Sequence, residues 1–231
     1  MSPIDPMTSA AAALHYWERR QDVISNNLAN ADTDGFKAER VFGTLLADGT
    51  TAPAAATDMS AGAITPTGNP LDVAIGGRGF LVVQTPQGNR LSRGGSLQLD
   101  AGGYLSDASG NRVLGDAGPV RILGGAVHID PTGGVYADGQ FVDRLRMESV
   151  APGTALQHAA GTLFLPPSTT TPMPPSARHV QQGSLEHSNV NTIGSMVDMI
   201  SVQRAYAAVQ KAMITMDGVN GTISNDLAKP V

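Results

Sequence analysis

The sequence predicts an α+β protein: a discontinuous helical module built from both termini as a coiled-coil-like pair, with an all-β domain inserted between its halves. Three observations predict it. Apolar residues recur at 3,4 spacing near both ends, from Met7 to Leu28 and from Met199 to Ile223. Between the ends the rhythm shifts to period two, as where Leu145 and Met147 alternate with Arg144, Arg146 and Glu148. Two stretches with neither rhythm separate the patterns. The resulting division is an N-terminal helical segment at 1–42, a linker at 43–69, an all-β domain at 70–165, a Pro-rich linker at 166–183 and a C-terminal helical segment at 184–231.

From Thr8 to Asn30 there is no Gly or Pro. Met7, Leu14 and Leu28 form one column with Gln21, and Ala10, Trp17 and Ile24 form a second. Thr8 or Ser9 can cap this helix, with Pro6 just outside it. It is expected to fail around Asn30–Gly35, where Asn, Asp and Thr side chains offer competing turn bonds. Gly43–Gly68 is rich in Ala, Thr and Gly and reads as a linker. Strands are expected at 71–75, 79–85, 90–93, 96–99, 120–123, 126–129, 134–137 and 142–150. Turn signals separate them at Gln87-Gly88-Asn89, Ala101-Gly102-Gly103, Ser109-Gly110-Asn111 and Asp138-Gly139-Gln140. The prolines at 166, 167, 172, 174 and 175 favour extended chain.

The C-terminal helix is expected from about Thr192 to about Asp217, with a chance to resume past Gly218 and Gly221. Ser188, Asn189 or Asn191 would be its N-cap. Met199, Val202, Tyr206, Val209, Met213 and Met216 form one stripe; Ile193, Ile200, Ala207 and Ile214 add a column on an adjoining face. That apolar surface is wider than one partner helix can cover. An apolar stripe usually means an intramolecular core, but here the stripes sit at opposite chain ends beyond linkers. The expectation is therefore packing between subunits, through Leu14, Trp17, Ile24, Leu28, Ile193, Met196, Met199, Ile200, Val202, Tyr206, Val209, Met213, Ile214 and Met216.

Composition narrows the chemistry. The 231 residues include 27 Gly, 15 Pro and no Cys, so a disulfide scaffold, a thiolate metal site and a cysteine nucleophile are excluded. A net charge of −5 leaves no basic footprint, so no nucleic-acid partner is expected. No apolar run reaches the ~18 residues that span a bilayer. The first residues, Met1 to Trp17, carry no Lys or Arg ahead of their Ala-rich run, which argues against a cleaved signal peptide. No two of His15, His128, His158, His179 and His187 share metal-ligand spacing on a helix, and no metal site is expected. Gly76-Gly77-Arg78-Gly79-Phe80 lacks the Lys-Ser/Thr of a phosphate loop and reads as a tight turn. The Asp-Gly pairs lack the alternating acidic ligands of a calcium loop. Arg144 and Arg146, with Arg90 and Arg93 nearby, read as a solvated sheet face. No catalytic residue, cofactor or small-molecule substrate is expected, so the chain does not read as an enzyme.

Several segments resemble bacterial flagellar axial proteins of the rod and hook. Ile24 to Lys37 is similar to their N-terminal signature, carried by Asn27, Leu28, Ala29, Asn30, Thr33, Gly35, Phe36 and Lys37. Gly183 to Asn191 is similar to the C-terminal one, with Ser188, Asn189, Val190 and Asn191. Its continuation through Met196–Ile200 and Gln203–Tyr206 matches as well. In the middle, Pro70–Ile75 with Gly79-Phe80, Arg93-Gly94-Gly95 and Val113-Leu114-Gly115 fall where that family has its core elements. The short connection from Phe42 to Leu71 fits proximal rod members, and Gln203–Tyr206 is closer to distal ones. Leu91-Ser92-Arg93 departs from the usual Tyr-Thr-Arg, and Asp217-Gly218-Val219 from the usual C-terminal ending.

The resemblance implies a structural subunit of a tubular axle that crosses the periplasm and transmits torque from motor to hook. Its partners would be other copies of itself, neighbouring rod proteins and the flagellar type III export apparatus, with export that cleaves no signal peptide. A self-contained interaction module that does not polymerise and a distal rod subunit stay open as alternatives.

Overall fold

The computed structural model describes residues 6–45, 51–151 and 153–227. The chain divides into two compact units. One comprises the chain up to Ala29, Glu39–Ala56 and Asn191 onward; the other comprises Asn30–Ala38 and Thr57–Val190.

In the first unit, helix α1 (Pro6–Ala29) packs along helix α2 (Thr192–Leu227). Helix α1 includes Pro6, Thr8 and Ser9, so Pro6 does not lie outside it and neither Thr8 nor Ser9 caps it. Strands β1 (Glu39–Leu45) and β2 (Thr51–Thr57) form a two-stranded sheet, with β1 beside α1. Asn191 is the N-cap of α2: its Oδ1 accepts from the Gly194 N–H at 2.8 Å. Helix α2 does not stop near Asp217 but runs on through Gly218 and Gly221. Each glycine costs about 1 kcal/mol against alanine, but neither removes an N–H as proline would. The Thr222 hydroxyl also bonds the carbonyls of Gly218 and Val219 in this last stretch.

The second unit is built of short strands. In chain order these are β3 (Ile64–Pro66), β4 (Val73–Ile75), β5 (Gly79–Thr85), β6 (Gly88–Ser92), β7 (Leu97–Leu99), β8 (Leu105–Asp107), β9 (Arg112–Val113) and β10 (Val127–Ile129). There follow β11 (Gly134–Ala137), β12 (Gln140–Arg144), β13 (Met147–Ser149), β14 (His158–Ala160), β15 (Leu163–Phe164), β16 (Thr171–Pro172), β17 (Val180–Gln182) and β18 (Ser184–Glu186). The main sheet has the order β14-β15-β6-β5-β9-β8-β7, with β13 also on β5 and β16 on β13. Strands β10-β11-β12 form a separate sheet, and β17 and β18 pair antiparallel with β4 and β3.

Strand β5 explains why its sequence is a continuous apolar run. Leu81 and Val83 join one buried cluster with Ile75, Leu105, Val113 and Leu145, while Phe80 and Val82 join another with Leu91 and Phe164. A strand covered on both faces has no polar side to alternate with.

Three differences from the sequence reading have local causes. The strand expected over 142–150 breaks between Arg144 and Met147, because the Leu145 N–H turns to the Gly133 carbonyl and Leu145 bridges Gly115. The segment 120–123 forms only an isolated bridge, Arg121 to Tyr104, and Leu123 is 84% exposed. The positive-φ Gly124-Gly125 pair that follows turns the chain away. In the β5–β6 hairpin Thr85 pairs with Gly88, so the loop is Pro86-Gln87 and not Gln87–Asn89. The Asp138-Gly139 turn is as expected, with φ of 48° and 78° between paired Ala137 and Gln140.

The stretches read as linkers also carry structure. The 43–69 stretch holds β2 and β3, and 166–183 holds β16 and β17. Strands β3, β16 and β17 are two or three residues long, and β3 and β17 pair with distant strands; β2 pairs with nearby β1, but its Thr51–Thr57 run has no large apolar residue. No local apolar alternation marks them.

Candidate assembly site

The expected interface residues sort onto different faces of the helical pair. Val202 is buried, and so are Ile24 and its neighbour Val23, which the heptad reading missed. Leu14, Trp17, Leu28, Met199, Tyr206, Val209 and Met213 are half-buried. These form the face that the chain satisfies by itself. Ile193, Met196, Ile200, Ile214 and Met216 are exposed, with Ile193 at 78% and Ile214 at 74%. Ile193, Ile200 and Ile214 keep the seven-residue column, and Val197 is exposed on the same helix. The stripe along 199–213 is thus the intramolecular one, and the adjoining isoleucine column is left to water.

Trp17 meets Tyr16 edge-on at 5.1 Å, and the Arg20 guanidinium lies 5.7 Å from its ring. Asn27, the first signature residue, is buried. Its Oδ1 accepts from the Glu39 N–H at 2.9 Å, and its Nδ2 donates to the Glu39 carbonyl at 2.8 Å. One amide thus fastens the start of β1 to the end of α1.

The signature residues from Thr33 to Lys37 serve the β unit. Thr33 and Asn30 close a turn through the Thr33 N–H and the Asn30 carbonyl. Gly35 has φ +76°, and its N–H donates to the Glu186 carbonyl at 2.6 Å. A Cβ there would collide with the Arg93 carbonyl. Gly35→Ala is therefore expected to cost the β unit at least about 2 kcal/mol, from left-handed strain plus the clash. A urea midpoint unchanged in that variant would refute the close approach.

Phe36 is buried 5.2 Å from the His158 ring, and His158 lies 4.4 Å from Phe164, which joins the second core. Lys37 follows, fully buried. Its Nζ donates to Glu186 Oε1 at 2.6 Å and to the Ser60 carbonyl at 2.7 Å. On the other carboxylate oxygen, Arg93 Nη2 donates to Glu186 Oε2 at 2.6 Å, while its Nη1 reaches the Gly77 and Gly79 carbonyls at 2.9 and 2.6 Å. Gly62 N–H supplies a further bond to Oε1 at 2.9 Å. The reading of Arg93 as part of a solvated face is thus corrected: it is 4% exposed, because Glu186 and two turn carbonyls draw it inward.

Two buried cations share one buried carboxylate, so the cluster carries a net positive charge. Burial pushes Lys37 and Arg93 below their ordinary values, more strongly than Glu186 pulls them up. Burial also pushes the Glu186 carboxyl up, but Arg93, the Lys37 hydrogen bond and the Gly62 N–H outweigh it and hold Glu186 below the usual carboxylate range. Glu186 lies in the C-terminal signature stretch and Arg93 in one of the middle core elements, but only the fold shows that they meet Lys37. At the end of the C-terminal signature the Ser188 hydroxyl accepts from the Val190 N–H at 3.3 Å. Asn189 bonds Ala38, Asp58 and Ser60, and Asn191 caps α2. The two signature stretches therefore meet in this buried cluster through Lys37 and Glu186, 149 residues apart in sequence.

Comparisons with known proteins match three stretches of the chain. Residues 7–37, from α1 to Lys37, match the family described as Flagella basal body rod protein. Residues 74–141 match the Flagellar hook protein FlgE/F/G D1 domain, and residues 181–226 the Flagellar basal body rod FlgEFG protein C-terminal family. The chain is 33% identical over 220 residues to the flagellar basal-body rod protein FlgF of Mesorhizobium japonicum, covering 87% of this chain and 89% of that protein. It is 34% identical over 223 residues to FlgF of Escherichia coli, covering 86% and 88%. It is 33% identical over 236 residues to the rod protein FlgG of Buchnera aphidicola subsp. Schizaphis graminum, covering 85% and 89%. With both terminal signatures, the β core and relatives aligned over most of its length, the chain belongs to the flagellar basal-body rod protein family, resembling its FlgF members first and its FlgG members next.

Proposed function

We propose that this chain polymerises, with copies of itself and neighbouring rod proteins, into a tubular axle that crosses the periplasm and carries torque from motor to hook. The observation that carries this reading is the exposed column Ile193, Ile200 and Ile214 on a helix whose other face is already covered. A monomer gains nothing from large apolar side chains at this exposure and spacing; a neighbouring subunit would bury them at about 25 cal/mol per Å². Subunits in such a tube meet head to tail, with each column seated on a different patch of the next copy. Met196 and Met216, exposed beside the column, suit slightly unequal neighbours because methionine adapts its shape. Delivery is by the flagellar type III export apparatus, without a cleaved signal peptide. A chain without cysteine forms no cross-links in an oxidising compartment before assembly.

Electron microscopy of basal bodies from a strain lacking the gene tests this. The expected result is a rod that stops short and carries no hook. Complete rods with hooks would end the proposal.

A further inference from the structure

The chain passes between its two units four times, after Ala29, Ala38, Ala56 and Val190. Three of those passages leave the β unit within two residues of Ala38, Asp58 and Asn189, and these three residues are bonded to one another. The Asp58 N–H donates to the Ala38 carbonyl at 2.7 Å. Asn189 Oδ1 accepts from the Ala38 N–H at 2.8 Å. Asn189 Nδ2 donates to the Asp58 carbonyl at 2.8 Å and to Ser60, at 3.0 Å to its carbonyl and 3.1 Å to its hydroxyl. The amide orientation is forced, because a flipped side chain would set NH₂ against an N–H and oxygen against carbonyls. The Ser60 carbonyl also accepts from Lys37, so the tie is anchored to the buried cluster.

We infer that Asn189 is a positioning residue that staples the three exit segments of the β unit. It fixes the spacing of those segments where they leave the β unit. Neither core cluster includes Asn189, Ala38, Asp58 or Ser60, so the staple can fail while the β unit stays folded. The spacing of the exits does not depend on the rod reading above.

The chain has no cysteine, so two labels can be placed cleanly on the full-length protein through Val190→Cys at one exit and Asn89→Cys in β6, both within the β unit. Pulsed EPR then reads the distribution of distances between them. With Asn189→Ala the distribution is expected to broaden at least about twofold while the β unit melts near the wild-type temperature. The Ala38 amide, which donates to Asn189, should exchange about tenfold faster, the order expected for one lost hydrogen bond. An unchanged distribution, or unchanged exchange at Ala38, overturns the inference. If the alanine variant does not fold, Asn189→Asp is read by the distance distribution alone, since it keeps the acceptor for Ala38 and loses both donors. A broadened distribution in a variant whose cells still swim at wild-type speed in viscous medium would leave the staple standing and count against the torque reading instead.

Discussion

Glu186→Ala is expected to cost the β unit about 3–5 kcal/mol, the largest loss of any single substitution considered for it. The loss comes less from the missing hydrogen bonds than from what remains: Lys37 and Arg93, both buried, with no anion between them. Lys37→Met should cost clearly less, because it leaves a balanced Arg93–Glu186 pair. Urea unfolding of the two variants checks this ordering, and equal losses would show that packing and not charge balance holds the cluster. Acid adds a second readout. The Glu186 carboxyl is held below its unfolded value, which is about 4.3. Its contribution is therefore fully present above about pH 5 and is lost as pH falls through the lowered folded value. Glu186→Gln should flatten that part of the acid-unfolding curve.

Ile200→Asp or Ile214→Asp should abolish swimming while both units of the isolated chain stay folded. At 52% and 74% exposure, each carboxylate is solvated in the monomer, and the stability change should stay within about 0.5 kcal/mol. In an assembled rod the same group would be buried without a partner at every repeat. A penalty of about 3 kcal/mol at each contact weakens association more than a hundredfold. Val202→Asp is a poor test, since Val202 is 1% exposed and its loss would break the helical pair itself. Motility assays beside thermal melts decide the matter; normal swimming in both variants would remove the isoleucine column from the interface.

Much of the fold was legible because its periodicities are local. The 3,4 stripes located α1 and α2, and β5 and β11 have the bounds that alternation and turn signals predict. The helix end at Asp217 misled because glycine weakens a helix without blocking it. The strands β3, β17 and β18 were illegible because each is three residues long and finds its partner across more than a hundred positions. For the site, the wide apolar face of α2 was readable, but which column faces α1 was not, since both have the same residue types. Arg93 was misread because a charged residue at a strand end is usually solvated. Only the return of Glu186 to the same place gives it a reason to be inside.

Trp17 is the only tryptophan in the chain, and it sits in α1, half-buried, with Tyr16 and Arg20 against its ring. The protein therefore carries its tryptophan fluorophore in one unit, while the other has only the weaker emitters Tyr104 and Tyr136. Emission excited selectively at tryptophan during a melt tracks the helical unit, while the far-ultraviolet strand signal comes mostly from the β unit. A single unlabelled sample can thus reveal whether the two units unfold together or apart, and a red or blue shift on mixing with other rod proteins would register assembly as it happens.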